Sequence, residues 1–263
     1  GILPTIRHKD LGMHNMTPIE RYKALADTLS KLRGGNFEFH ISGTDELITA
    51  HDTVMFESCN TSFQIHYQVS ACDFVDLYNW AQFISGPVLA CAPNSPLLLG
   101  KRLWRETRIA LFQQSIDIRQ SKDHLRERSS RVSFGNRWIH DSIVDAFKED
   151  IMRFETLLSN NQKSDSVKAL EEGQIPKLDS LLVHNSTIYK WNRPCYGIYQ
   201  GKPHFRIENR YLAAGPTIVD EVPNASLWFG LMAGMPDEYK NIQRKFEFDD
   251  AKTNFLKAAR DGI

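Results

Sequence analysis

Charge of one sign is missing: 32 Lys and Arg balance 32 Asp and Glu in the 263 residues. No global field therefore draws the chain to nucleic acid or to an anionic membrane, and any phosphate must be held by locally placed arginines. Cysteine is scarce. Cys59, Cys72, Cys91 and Cys195 are scattered without C-x-x-C spacing, which argues against a zinc site or a disulfide framework and suits a reducing cytoplasm. No apolar run approaches the ~20 residues of a spanning helix, and the first residues carry no signal-peptide pattern. There is no Walker loop or Gly-rich fingerprint, since "LLLGKRLW" lacks the upstream glycine. His8, His14, His40 and His51 have no metal-ligand spacing, and no internal repeat is found.

What is present is enough apolar content, 41%, for one domain over residues 1–263. Thr17-Pro18-Ile19-Glu20 reads as a capping box opening a helix over 18–32, which Gly34-Gly35 ends. "NFEFHIS", "TVMFES" and "TSFQIHYQVS" read as strands, followed by helices over 73–84 and through "LWRETRIALFQQSIDIR". "NRWIHDSIVDAFKEDIMRFETLLS" has helical periodicity, and 158–178 reads as a mobile surface loop around "NNQKSDS". Short strands at "TIYKW" and "PHFRIENRYL" precede a helix over 217–232, kinked or broken at Pro223, and a last helix from about Asp249. Without a βαβ rhythm, the expected class is α+β, a mostly antiparallel sheet packed against helices. Both termini look cut, as though a longer protein had been trimmed.

Two strands have polar faces in phase. Ser62, Gln64, His66, Gln68 and Ser70 share one face of "TSFQIHYQVS"; His204, Arg206, Glu208 and Arg210 share one face of "PHFRIENRYL". Two arginines flanking a glutamate are either a solvated surface or the floor of a site for anions and a metal. Arg102, Arg105 and Arg108, three apart, fall near one helix stripe, either a surface stripe or an anion clamp.

The ordered segments "QIHYQV", "APNSPLLLGKRLWRETR", "WNRPCYG" and "PHFRIENRYLAAGPTIVDEV" resemble the glutamate–cysteine ligase family 2, over roughly residues 35–235. Its members are carboxylate–amine ligases whose catalytic half folds like that of glutamine synthetase. The resemblance implies His66 and Glu208 as magnesium ligands, and Arg210 facing phosphate. The arginine after the family's N-S-P segment falls on Arg108, or on Arg105 because the spacing differs by one residue. Arg210 and Arg108 are thus the implied catalytic arginines; Arg193, Arg206 and Arg105 join Arg210 around the nucleotide.

The implied cofactors are ATP and Mg2+, and the implied substrates are a glutamate-like acid and an amine, joined through an acyl-phosphate. The family's opening acidic strands have no counterpart before His66, because Glu38 and Glu57 match neither. One glutamate and one histidine make a thin magnesium site. Residues 1–263 are therefore expected to be the C-terminal part of such a catalytic domain, incomplete by themselves and prone to self-association as a homo-oligomer. The rival reading is a non-catalytic relative that keeps an anion or nucleotide pocket without turnover.

Overall fold

Gly34, in the left-handed region at φ 65°, closes helix α1 (Glu20–Arg33) by donating its amide to the Ser30 carbonyl. In the computed structural model, which describes residues 1–119, 130–159 and 164–263, the Thr17–Glu20 capping box is not formed. The Ile19 amide donates to the Thr17 carbonyl at 2.8 Å instead, so the chain stays extended until Glu20. Strands β1 (Phe37–Ser42) and β2 (Glu46–His51) follow as an antiparallel hairpin, with Phe37, Phe39 and Ile41 buried beneath it.

"TVMFES" is not a strand. Val54–Cys59 is a 3-10 helix capped by the Thr53 hydroxyl, which accepts from the Met55 amide at 3.3 Å. Val54, Met55 and Phe56 are buried in succession, where a strand with one wet face would have turned the middle one to water. Strand β3 (Ile65–Val69) leads to α2 (Phe74–Cys91), an 18-residue helix at the centre of the core, which packs along α8 (Phe248–Asp261). A Cβ at Gly86 would stand 3.3 Å from the α8 backbone at Asn254 and Phe255, so glycine there allows the close helix approach.

The arginine stripe is also overturned. Arg102 ends the two-residue strand β5 (Lys101–Arg102), paired with β4 (Leu97–Leu98), and Arg105 lies in the following turn. Only Arg108 is on a helix, α3 (Thr107–Ser115). Parallel pairing joins β6 (Val132–Ser133) to β7 (Tyr189–Lys190), while α4 (Ile143–Arg153) fills only the middle of its expected helical stretch, capped by Ser142. Within the expected 158–178 loop, residues 160–163 lie outside the described residues, and α5 (Ser166–Glu171) is a short helix capped by Asp165. The helix α6 (Asp179–Asn185) leads into β7.

Two strands then form a tight hairpin, β8 (Asn192–Tyr199) and β9 (Lys202–Asn209). Its two loop residues, Gln200 and Gly201, both take positive φ (48° and 72°), the mirror-image turn whose twist suits a hairpin. The sheet order is β3-β9-β8, antiparallel throughout, so β9 is central. Its apolar side, with Tyr67, Phe205 and Ile207, packs on α2 and on α7 (Ile218–Ala233). Phe205 meets Phe74 edge-on at 6.2 Å and Tyr67 meets Trp228 at 6.2 Å. The α7 helix runs unbroken through Pro223, its sixth residue, although proline there cannot donate to the Val219 carbonyl. The α+β class and mostly antiparallel pairing are as expected. Among the described residues no helix is long and apolar enough to cross a membrane.

Candidate active site

Register alone builds the site. On β9, Glu208 pairs with His66 of β3 on one side and with Arg193 of β8 on the other; Arg206 pairs with Gln68 and with Cys195. Because side chains alternate, these six residues share the face opposite the core. His66 and Glu208, the two ligands implied by the resemblance, thus lie on neighbouring strands and on one face.

Glu208 is the hub, with 1% of its side chain exposed. Arg193 Nε donates to Oε2 at 2.7 Å and Arg210 Nη1 to Oε1 at 2.9 Å. Burial would raise its carboxyl, but the two guanidiniums outweigh burial and hold it below the ordinary value. Arg210 is further fixed by Gln64 Oε1 at 3.5 Å and by the Tyr189 ring, 5.7 Å below its guanidinium. The His66 Nε2 lies 4.0 Å from Oε1, its side chain 38% exposed; burial and the surrounding arginines lower its pKa despite Glu208, so the imidazole is neutral at pH 7.

Arg206 reaches across β8 to where a Cβ on Gly197 would stand 3.4 Å from its Nη2, and its Nε is buried without a hydrogen-bond partner. Three guanidiniums against one carboxylate leave this face with two positive charges. Glu57, from the 3-10 helix, is a second acid that feels Arg210. Burial pushes its carboxyl up to about 7 against the pull of that arginine.

Two expected arginines are elsewhere. Arg108 is buried behind the sheet: its Nε donates to Glu106 Oε1 at 3.0 Å, its Nη2 to the Tyr211 carbonyl, and Trp191 packs under it at 5.5 Å. Each of its three guanidinium nitrogens donates to the protein, so this buried side chain supports the end of β9 instead of facing a ligand. Arg105 lines a separate concavity of about 460 Å³ with Trp104, Arg260 and Asp261. Neither joins the Arg193–Glu208–Arg210 cluster; Arg108 reaches only the Arg210 backbone carbonyl, at 3.5 Å. One site residue escaped the sequence reading. Cys195 donates its thiol to Glu208 Oε2 at 3.4 Å, and its in-phase position two after Arg193 was the available signal.

A family model described as glutamate-cysteine ligase family 2 matches residues 1–263, the full length of the sequence. The chain belongs to glutamate–cysteine ligase family 2. No curated protein and no solved structure matches it. Membership in this ligase family gives a carboxylate–amine ligase kind of function, and such ligases are generally ATP-dependent.

The magnesium that the family resemblance brings to His66 and Glu208 does not fit the donors present. Magnesium requires about six oxygens in near-octahedral array. Among the described residues the cluster of potential ligands here is His66, Cys195 and Glu208: one nitrogen, one sulfur and one carboxylate already gripped by two guanidiniums. Glu38, the other acid weighed from sequence, is on β1 in a 3.6 Å pair with Arg33 and takes no part.

Proposed function

We propose that the Arg193–Arg206–Arg210 face holds the anionic groups of ATP and of a glutamate-like acid in a ligase that forms an amide through an acyl-phosphate. The observation that supports this most is the excess of guanidinium over carboxylate on one wet sheet face, in a chain of a carboxylate–amine ligase family. Arginine forks match carboxylate and phosphoryl oxygens, and charge neutralisation with positioning supplies most of the rate in phosphoryl transfer. In this reading Glu208 orients Arg193 and Arg210 instead of ligating magnesium, and neutral His66 lines the rim as a hydrogen-bonding group. The free cysteines suit a reducing cytoplasm.

The poor magnesium donor set favours a second reading, an anion-binding relative without turnover. ADP release decides between them, measured with ATP, magnesium, glutamate and a panel of amines including cysteine, beside a direct measurement of nucleotide binding. Nucleotide binding with amine-dependent ADP release is expected. Binding without turnover establishes the second reading, and no nucleotide binding at all overturns both.

A further inference from the structure

The donor set that suits magnesium badly suits another class of ion. We propose that His66 Nε2, Cys195 Sγ and Glu208 form a capture site for a thiophilic divalent cation of the zinc or cadmium kind, which would occupy the floor of the anion site.

The geometry is close to what such an ion needs. Zinc bonds of about 2.0–2.3 Å in a tetrahedron place ligand atoms roughly 3.3–3.6 Å apart. Cys195 Sγ is 3.4 Å from Glu208 Oε2, already at that spacing. His66 Nε2 is 4.0 Å from Oε1, and all three ligand atoms lie within 4.8 Å of one another. Closing the remainder falls to His66, the one exposed member, whose ring can move; Cys195 and Glu208 are buried and fixed. Nitrogen, sulfur and a single carboxylate oxygen are the ligand types of zinc and its heavier relatives, and a thiolate selects against magnesium.

Arg193 and Arg210 do not block the site. Each bonds one lone pair of Glu208, leaving others free, and hydrogen-bonded carboxylates are the usual support of a ligating one. Their charge lowers affinity for a cation and favours an anion in the fourth position. Binding breaks the Cys195 S–H bond and forms a sulfur–metal bond, with the proton leaving to water. Only a thiolate ligates, so capture displaces the thiol proton and tightens as pH rises. Sequence spacing does not show the site, because its ligands come from three strands.

The test uses cadmium and zinc alone as probes, on protein with Cys72 and Cys91 changed to serine to remove exposed competing thiols. Cadmium should give one equivalent of sulfur-to-metal ultraviolet charge-transfer absorption, resistant to a large excess of magnesium. Cys195→Ser should abolish that band, His66→Ala should weaken zinc binding at least tenfold, and one proton should be released per ion. An unchanged thermal unfolding midpoint and circular dichroism spectrum in each variant report that the sheet is intact. A band that persists in Cys195→Ser, zinc affinity unchanged in His66→Ala, or displacement by equimolar magnesium would each overturn the assignment.

Discussion

Two arginine–glutamate clusters stand back to back at the end of β9, and they do opposite work. Arg108 with Glu106 is sealed, at 2% and 0% exposure, and each guanidinium nitrogen donates to the protein. Around Glu208, Arg193 and Arg210 keep 19% and 12% of their side chains exposed, and His66 opens the edge to water. A saturated, dry pair holds a strand in place. An unsaturated one, with charge left over, is where a ligand can be paid for in contacts the protein has not already made. Burial of the charged group is common to both, so burial by itself does not mark a site.

Breaking the sealed pair should have the largest effect. Arg108→Met leaves Glu106 buried and uncompensated, with only the Asn94 amide on its other oxygen at 2.7 Å, and should cost about 3–5 kcal/mol in urea unfolding. A loss under 1 kcal/mol would mean that the pair is not structural.

Breaking the open one should act on binding. Arg210→Lys keeps the charge but loses the fork, and nucleotide affinity should fall about tenfold, near 1.4 kcal/mol, with little change in unfolding midpoint. Arg105→Ala, in its separate concavity, is the control that should leave nucleotide affinity alone. If Arg105→Ala weakens binding as much, the assignment of faces is wrong.

The smallest effect separates two acids near Arg210. Glu208 has a lowered carboxyl, so its contribution to stability is present above the ordinary carboxylate range and drains as pH falls through its depressed value. Glu57 has a raised one: the folded state prefers it protonated, so stability is lost as pH rises from its ordinary 4.5 to about 7. Glu57→Gln should remove that alkaline drift, seen as a flatter thermal midpoint between pH 5 and 8. An unchanged slope would show that Glu57 ionises freely.

The site's polar strands were legible because one face of each is buried: a period of two survives in "QIHYQV" and "PHFRIEN", and it put His66, Arg206 and Glu208 in phase. Strand β8 was not, since burial on both faces around Pro194, Cys195 and Tyr196 erases the alternation. Its hairpin hides behind Gln-Gly, a weaker turn signal than Asn-Gly. The roles of Arg105 and Arg108 were hidden by a helix boundary. Arg102, Arg105 and Arg108 read as one helical stripe, yet α3 begins only at Thr107, and the non-helical backbone at Glu106 brings its carboxylate to Arg108 Nε. Glu57 was misread with its segment, because consecutive buried residues suit a 3-10 turn as well as a strand.

The β8–β9 turn has a kinetic consequence. Arg193 and Glu208 are 15 residues apart in a two-residue-loop hairpin, a unit that can close in microseconds. His66 meets Glu208 only when β3, roughly 140 residues earlier in sequence, is brought to the far side of β9, a long loop closure that is slow and late. The guanidinium–carboxylate half of the floor is therefore built to form locally and early, and the imidazole edge is added when the whole domain condenses. An anion that binds early would meet half a site, and a ligand needing His66 would recognise only finished molecules.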